Sequence, residues 1–94
     1  KKVYILLMLF EYDENKSRKN KIKHGVDFEE IQELWEDERY LLVPARCTEE
    51  SRFLVIGKFQ DKIWSCVITY RDTAVRIISA RRSRQDEEDL YERA

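Results

Sequence analysis

The chain is poor in the residues that punctuate or cross-link a fold. Its 94 residues hold two glycines, one proline, two cysteines and one histidine. So little glycine leaves no glycine-rich loop to cradle a nucleotide phosphate, and no linker of low complexity separates two domains. A lone histidine and two distant cysteines exclude the usual zinc ligand sets. Cys47 and Cys66 lie in neither a metal-binding nor a redox spacing, and read as buried thiols in a reducing cytosol. Nothing in the sequence sets His24 beside either cysteine as a nucleophilic pair. Long hydrophobic runs are missing too. The opening KKVYILLMLF has two lysines and then eight apolar residues, like the start of a secretion signal. It lacks a small-residue cleavage site, runs straight into EYDEN, and is much too short to span a bilayer. No metal, no cofactor and no membrane association are expected.

Net charge is the last absence. It is only −1, although 39% of the residues are charged and 43% are apolar. That balance suits one globular domain over residues 1–94, with a single modest core. The charges are sorted along the chain. Lys16 to His24 carries five Lys/Arg and no acid, and Asp27 to Glu38 carries seven acids and no base. Arg71 to Arg84 has five arginines and one acid, and an acidic tail comes next. The two basic segments form one positive face only if the fold joins them; otherwise they are solvated surfaces.

Val3 to Tyr12 is a continuous apolar run rich in β-formers and reads as a strand central in a sheet. Asp13 can cap a helix over roughly Glu14 to Lys23, with Gly25 as its stop. Apart from Ile22 this helix has little apolar surface, so it lies on the outside. Asp27 and Glu30 resemble a capping box, and Phe28, Ile31, Leu34 and Trp35 make the apolar face of a second helix ending near Asp37. Pro44 limits Tyr40 to Ala45 to an edge strand. Arg52 to Phe59, Ile63 to Tyr70 and Ala74 to Ser79 read as an antiparallel meander. In the last of these, alternation groups Val75, Ile77 and Ser79 against Arg76, Ile78 and Ala80. Gln85 to Arg93 suits a short helix. The order predicts an α+β domain, with the two N-terminal helices on one face of a mainly antiparallel sheet and a short C-terminal helix.

The chemistry these residues could do centres on cations around one histidine. RNA can be cut without a metal when the 2′-hydroxyl attacks its own phosphate. The catalyst must then move protons and stabilise charge on the phosphoryl oxygens. Arginine's planar fork suits the second task, and histidine the first. Neighbouring lysines would favour a neutral imidazole, which suits a base. Simpler readings stand beside these. A histidine just before a helix-ending glycine can serve the negative end of the helix dipole. Arg76, Arg81 and Arg82 can pair with the acidic tail, and Trp35 and Trp64 can be core. Tyr70, at a strand end beside Arg71, can stack on a base.

Two blocks of sequence carry a resemblance. The first is Phe10, Glu11, Tyr12, Asp13, Lys16, Asn20 and the Lys23-His24-Gly25-Val26 turn. The second is Thr69, Arg71 and the run Arg76-Ile77-Ile78-Ser79-Ala80-Arg81. In this order and at this distance they resemble the BrnT family of bacterial type II toxins, over about residues 9–92. The resemblance implies a RelE-like fold and a cytoplasmic endoribonuclease that blocks translation by cutting mRNA. It also implies an antitoxin of the BrnA type, a ribbon-helix-helix protein through which alone the pair would touch operator DNA. Within it, His24, Arg76 and Arg81 are the expected catalytic residues. Lys16, Lys23, Tyr70, Arg71, Ser79 and Arg82 are expected to bind RNA. The alternative is a module that grips RNA or a partner without cutting. Two departures are visible. Ser83-Arg84 stands where the family has Ala-Thr or Ala-Ser, and residues 1–7 precede the family's usual start near Met8, as an extension.

Overall fold

A computed structural model describes residues 8–45 and 51–94. Val3 to Leu7 of the expected first strand, and Cys47, lie outside the described residues. The elements are β1 (Leu9–Glu11), helix α1 (Glu14–His24), a 3-10 helix (Glu30–Glu36), β2 (Leu41–Ala45), β3 (Arg52–Phe59), β4 (Lys62–Arg71), β5 (Ala74–Arg82) and helix α2 (Gln85–Arg93). They build a five-stranded mixed sheet in the order β1-β5-β4-β3-β2, in which only β1 and β5 are parallel.

The meander is set by its turns. Gln60 and Asp61 both take positive φ, 53° and 62°, between the paired ends Phe59 and Lys62. This two-residue turn matches the twist of the strands it joins. Helix α1 starts where Asp13 accepts a hydrogen bond from the Lys16 amide at 3.0 Å. It ends at Gly25, whose φ of 85° is left-handed and whose amide donates to Lys21 O at 2.9 Å. Only Ser17 and Asn20 of this helix are buried, and Ile22 stands in solvent. It docks through polar side chains rather than through an apolar stripe.

Three expectations need correction. The segment after Gly25 is not a second α-helix, so the domain does not set two N-terminal helices on one face. The capping box does form, since Asp27 N donates to Glu30 Oε1 at 2.9 Å and Glu30 N to Asp27 Oδ1 at 2.8 Å. The helix it opens, however, is a 3-10 helix. Phe28, Ile31 and Leu34 recur every third residue, and about three residues per turn aligns them on one side. All three are fully buried. The second correction concerns β1, which is at the sheet's edge and pairs only with Ala74 to Arg76.

The third lies in β5. Val67 pairs with Ser79, but Ile68 pairs with Ile77, which leaves Ile78 as a bulge. One extra residue reverses which face every later side chain takes. Val75, Ile77 and Ala80 therefore share the buried face, while Ser79 joins the other.

The buried face carries the main core. Val55, Cys66, Ile68, Val75, Ile77 and Ala80 pack under Val26, Phe28, Ile31, Leu34 and Trp35. Phe10 meets Trp35 edge-on at 4.9 Å between ring centres, and Tyr12 meets Phe28 at 5.6 Å. Burial pushes the Cys66 thiol's pKa up, so it is an inert core residue. Helix α2 covers part of the opposite face, where Tyr91 packs on Ile56 and Ile63. No helix among the described residues is long and apolar enough to cross a membrane.

Candidate functional site

Residues paired directly across neighbouring strands share a face of the sheet. Arg81 pairs with Ser65, which pairs with Ile56, so Arg81 stands on the α2 side of the sheet. Ser79 pairs with Val67 and stands beside it. Arg76 pairs with Thr69, two residues further along β4, and takes the same side. Arg71, next along β4, points the same way. Five residues separate Arg76 from Arg81, and strict alternation would have set them on opposite faces. The bulge at Ile78 brings them to one.

Each of the two arginines already holds a carboxylate. Arg76 Nη1 donates to Glu11 Oε2 at 3.0 Å, across the β1–β5 pairing. Arg81 grips Glu87 with both terminal nitrogens, each at 2.8 Å. Glu87 also accepts from Ser65 Oγ and from the Arg84 amide, both at 2.9 Å. Ser65 is bonded in turn to Ser83 at 2.7 Å. The Arg81 fork, then the Arg84 amide and Ser65, outweigh burial and hold the Glu87 carboxyl at a pKa of about 2. The same pairing raises Arg81. Pairing with the acidic tail, the simpler reading of Arg81, is thus realised, and it leaves part of the guanidinium unused.

Helix α1 reaches this strand through Asn20. Its amide donates to Ala80 O at 2.9 Å and its carbonyl accepts from Ala80 N at 3.2 Å. A third bond runs from the amide to Val26 O at 2.8 Å. Asn20 therefore stands in for a neighbouring strand where β1 has ended, and satisfies the free edge of β5. The helix runs alongside the strand in the same direction. Just before its start the charge of Arg76 reaches Asp13, and about two turns later Asn20 meets Ala80. His24 lies one turn beyond Asn20, about 6 Å further along the axis, toward the Arg81 end. It is half-buried and has no hydrogen-bond partner among the described residues.

The helix also has two flanks. On one, Ser17 Oγ accepts from the Phe28 amide at 2.9 Å, and Lys21 pairs with Glu30 at 2.9 Å, both toward the buried face. At about 100° per residue, Lys16 and Lys23 fall on the other side of Asn20, the side from which Arg76 and Arg81 project. Both lysines are exposed.

Two expected residues do not join this group. Tyr70 pairs with Val75, so its ring stands on the buried face's side, 5.4 Å from Phe53 and half-exposed. Arg82 pairs with Trp64 and lies over that ring at 5.8 Å, again on the other side. Four groups that the arrangement uses carry no role in the sequence reading: Glu11, Asn20, Ser65 and Glu87. Glu87 has a signal, since an acid three residues into a helix commonly caps it. Glu11 and Asn20 have only their place in the first block, and Ser65 has none.

Comparison with known proteins bears on the whole arrangement. No curated protein matches the chain. A family model described as the ribonuclease toxin BrnT of type II toxin–antitoxin systems matches residues 12–87, which include α1, the bulged strand and Glu87. The chain belongs to the BrnT family of ribonuclease toxins, whose members act on RNA and are held in check by an antitoxin.

Proposed function

We propose that this toxin cuts RNA without a metal, by driving a 2′-hydroxyl onto the adjacent phosphorus. His24 accepts or returns the proton, and Arg76 and Arg81 stabilise the added charge on the phosphoryl oxygens. Lys16, Lys23, Arg71 and Ser79 hold the RNA backbone. The products are a 5′-hydroxyl and a 2′,3′-cyclic phosphate that opens to a 3′-phosphate. Proton transfer of this kind contributes about 10²–10⁴-fold, and removing one charge-stabilising donor costs about 10²–10³-fold. In the cytoplasm, cleavage of mRNA would stop translation, and a ribbon-helix-helix antitoxin of the BrnA type would be the partner that prevents it.

The observation that carries the reading is the shared face of β5. Arg76, Ser79 and Arg81 project together, flanked by the lysine side of α1, with His24 at the end of that helix. A phosphodiester needs cations and a proton carrier within one span, and this face supports both. The test is cleavage of an oligoribonucleotide in EDTA, with the product ends identified by mass. Cyclic or 3′-phosphate ends are expected. His24→Ala and Arg81→Ala are expected to lose cleavage while keeping the parental circular dichroism. Both variants cutting at the parental rate would remove this site from consideration.

A further inference from the structure

Arg81 has more donors than its salt bridge consumes. A guanidinium carries five N–H bonds in a planar fork, and it can meet an oxyanion end-on through Nη1 and Nη2, or side-on through Nε and Nη2. Glu87 occupies the end-on edge, at 2.8 Å to each nitrogen. The remaining Nη1 hydrogen goes to Arg82 O at 3.3 Å. The side-on edge, Nε with the outer Nη2 hydrogen, has no partner among the described residues, and the side chain is 24% exposed.

We propose that Glu87 is a positioning residue of the ribonuclease site: it clamps the end-on edge of Arg81 so that the side-on edge meets the scissile phosphate. The inference rests on the reading of Arg81 as a phosphate-binding group. Glu87 suits the task because it is itself fixed. Its carboxylate takes two bonds from Arg81, one from Ser65 on β4 and one from the backbone of Arg84, and its side chain is only 12% exposed. Four acceptor directions are thus used, which is about all a carboxylate has. A free arginine would lose rotamer freedom on binding RNA; this one has lost it beforehand. The anion lies behind the guanidinium and leaves the forward edge open.

The test uses the full chain and a fluorescent oligoribonucleotide. Glu87→Gln keeps the volume and removes the charge and half of the fork. It is expected to lower kcat by about 10–100-fold, as a guanidinium displaced by about 1 Å would, with KM within about threefold. Arg81→Lys, which has no edges to orient, should lose as much. The double variant should then be no slower than Arg81→Lys alone, because Glu87 has nothing left to aim. Additive losses would mean that Glu87 acts by some other route, and an unchanged or higher kcat in Glu87→Gln would mark it as a competitor of phosphate; either overturns the inference. Should Glu87→Gln fail to fold, Glu87→Asp keeps the charge but shortens the reach, and the same non-additivity with Arg81→Lys is required of it. Parental activity in Arg81→Ala sinks the reading of Arg81 itself, a result distinct from any outcome for Glu87.

Discussion

The two faces of the sheet obey different rules, although the same strands make both. On the buried face, Val55, Cys66, Ile68, Ile77 and Ala80 are closed off from water beneath apolar side chains of the 26–35 segment. Burial alone organises that side, and any aliphatic residue of the right volume would serve. On the other face, Arg76 and Arg81 stand with Glu11, Ser65 and Glu87, and every bond there has a direction. Non-directional packing holds the strand in place, and directional polar bonds aim the side chains that project from it. The bulge at Ile78 is the device that lets one strand do both. It keeps Val75, Ile77 and Ala80 in the core without sending Arg81 in after them.

The most severe way to break this contrast is to delete Ile78. Strict alternation would return, Arg81 would turn toward the core and Ala80 away from it. An unpaired buried guanidinium costs several kcal/mol, against a total stability of about 5–15 kcal/mol for a domain. Loss of a cooperative urea transition is expected. A deletion variant that melts and cleaves like the parent would show that the two faces are interchangeable.

Asn20→Ala attacks the joint between α1 and the bulged strand. It strips three hydrogen bonds from buried backbone groups of Ala80 and Val26 and replaces them with nothing. A loss of roughly 3–4 kcal/mol is expected from the urea midpoint. A loss below about 1 kcal/mol would mean that the edge of β5 is satisfied in some other way.

Acid reaches only the polar face. The Glu87 carboxyl titrates at about 2 in the fold, against 4.5 for the ordinary group. A lowered pKa adds stability that is complete above the unfolded value and is lost as pH falls from about 4.5 toward 2. The change should be roughly 2–3 kcal/mol, and stability measured against pH should lose that acid limb in Glu87→Gln. An identical limb in both proteins would move the effect to other carboxyls.

Gly25→Ala gives the smallest effect and sharpens the comparison by touching neither face. A Cβ there meets nothing within 4 Å, so only the left-handed φ of 85° is penalised. About 1 kcal/mol is expected. If cleavage falls much more than stability does, the turn matters because it sets His24, and not because it ends a helix.

Much of this architecture is legible in the chain. The cap at Asp13, the stop at Gly25, the edge strand limited by Pro44 and the three-stranded meander all rest on local chemistry, and each is present near its expected bounds. The 26–37 segment is ambiguous in sequence because period three and period 3.6 place Phe28, Ile31 and Leu34 on a common side over so short a run. Alternation assigns Ser79 to the wrong face because a bulge leaves no mark in composition. Nearness in sequence groups Tyr70 and Arg82 with Arg76 and Arg81, and pairing in the sheet separates them.

Residue order by itself determined most of the elements, the sorting of positive charge into two segments, and membership of the BrnT family. Those depend on contacts within a few residues, or on patterns written along the chain. Which arginines share a face, which carboxylate holds each, and what Asn20 replaces were decided only in three dimensions. They depend on strand register, and one unpaired residue in β5 resets that register for everything after it.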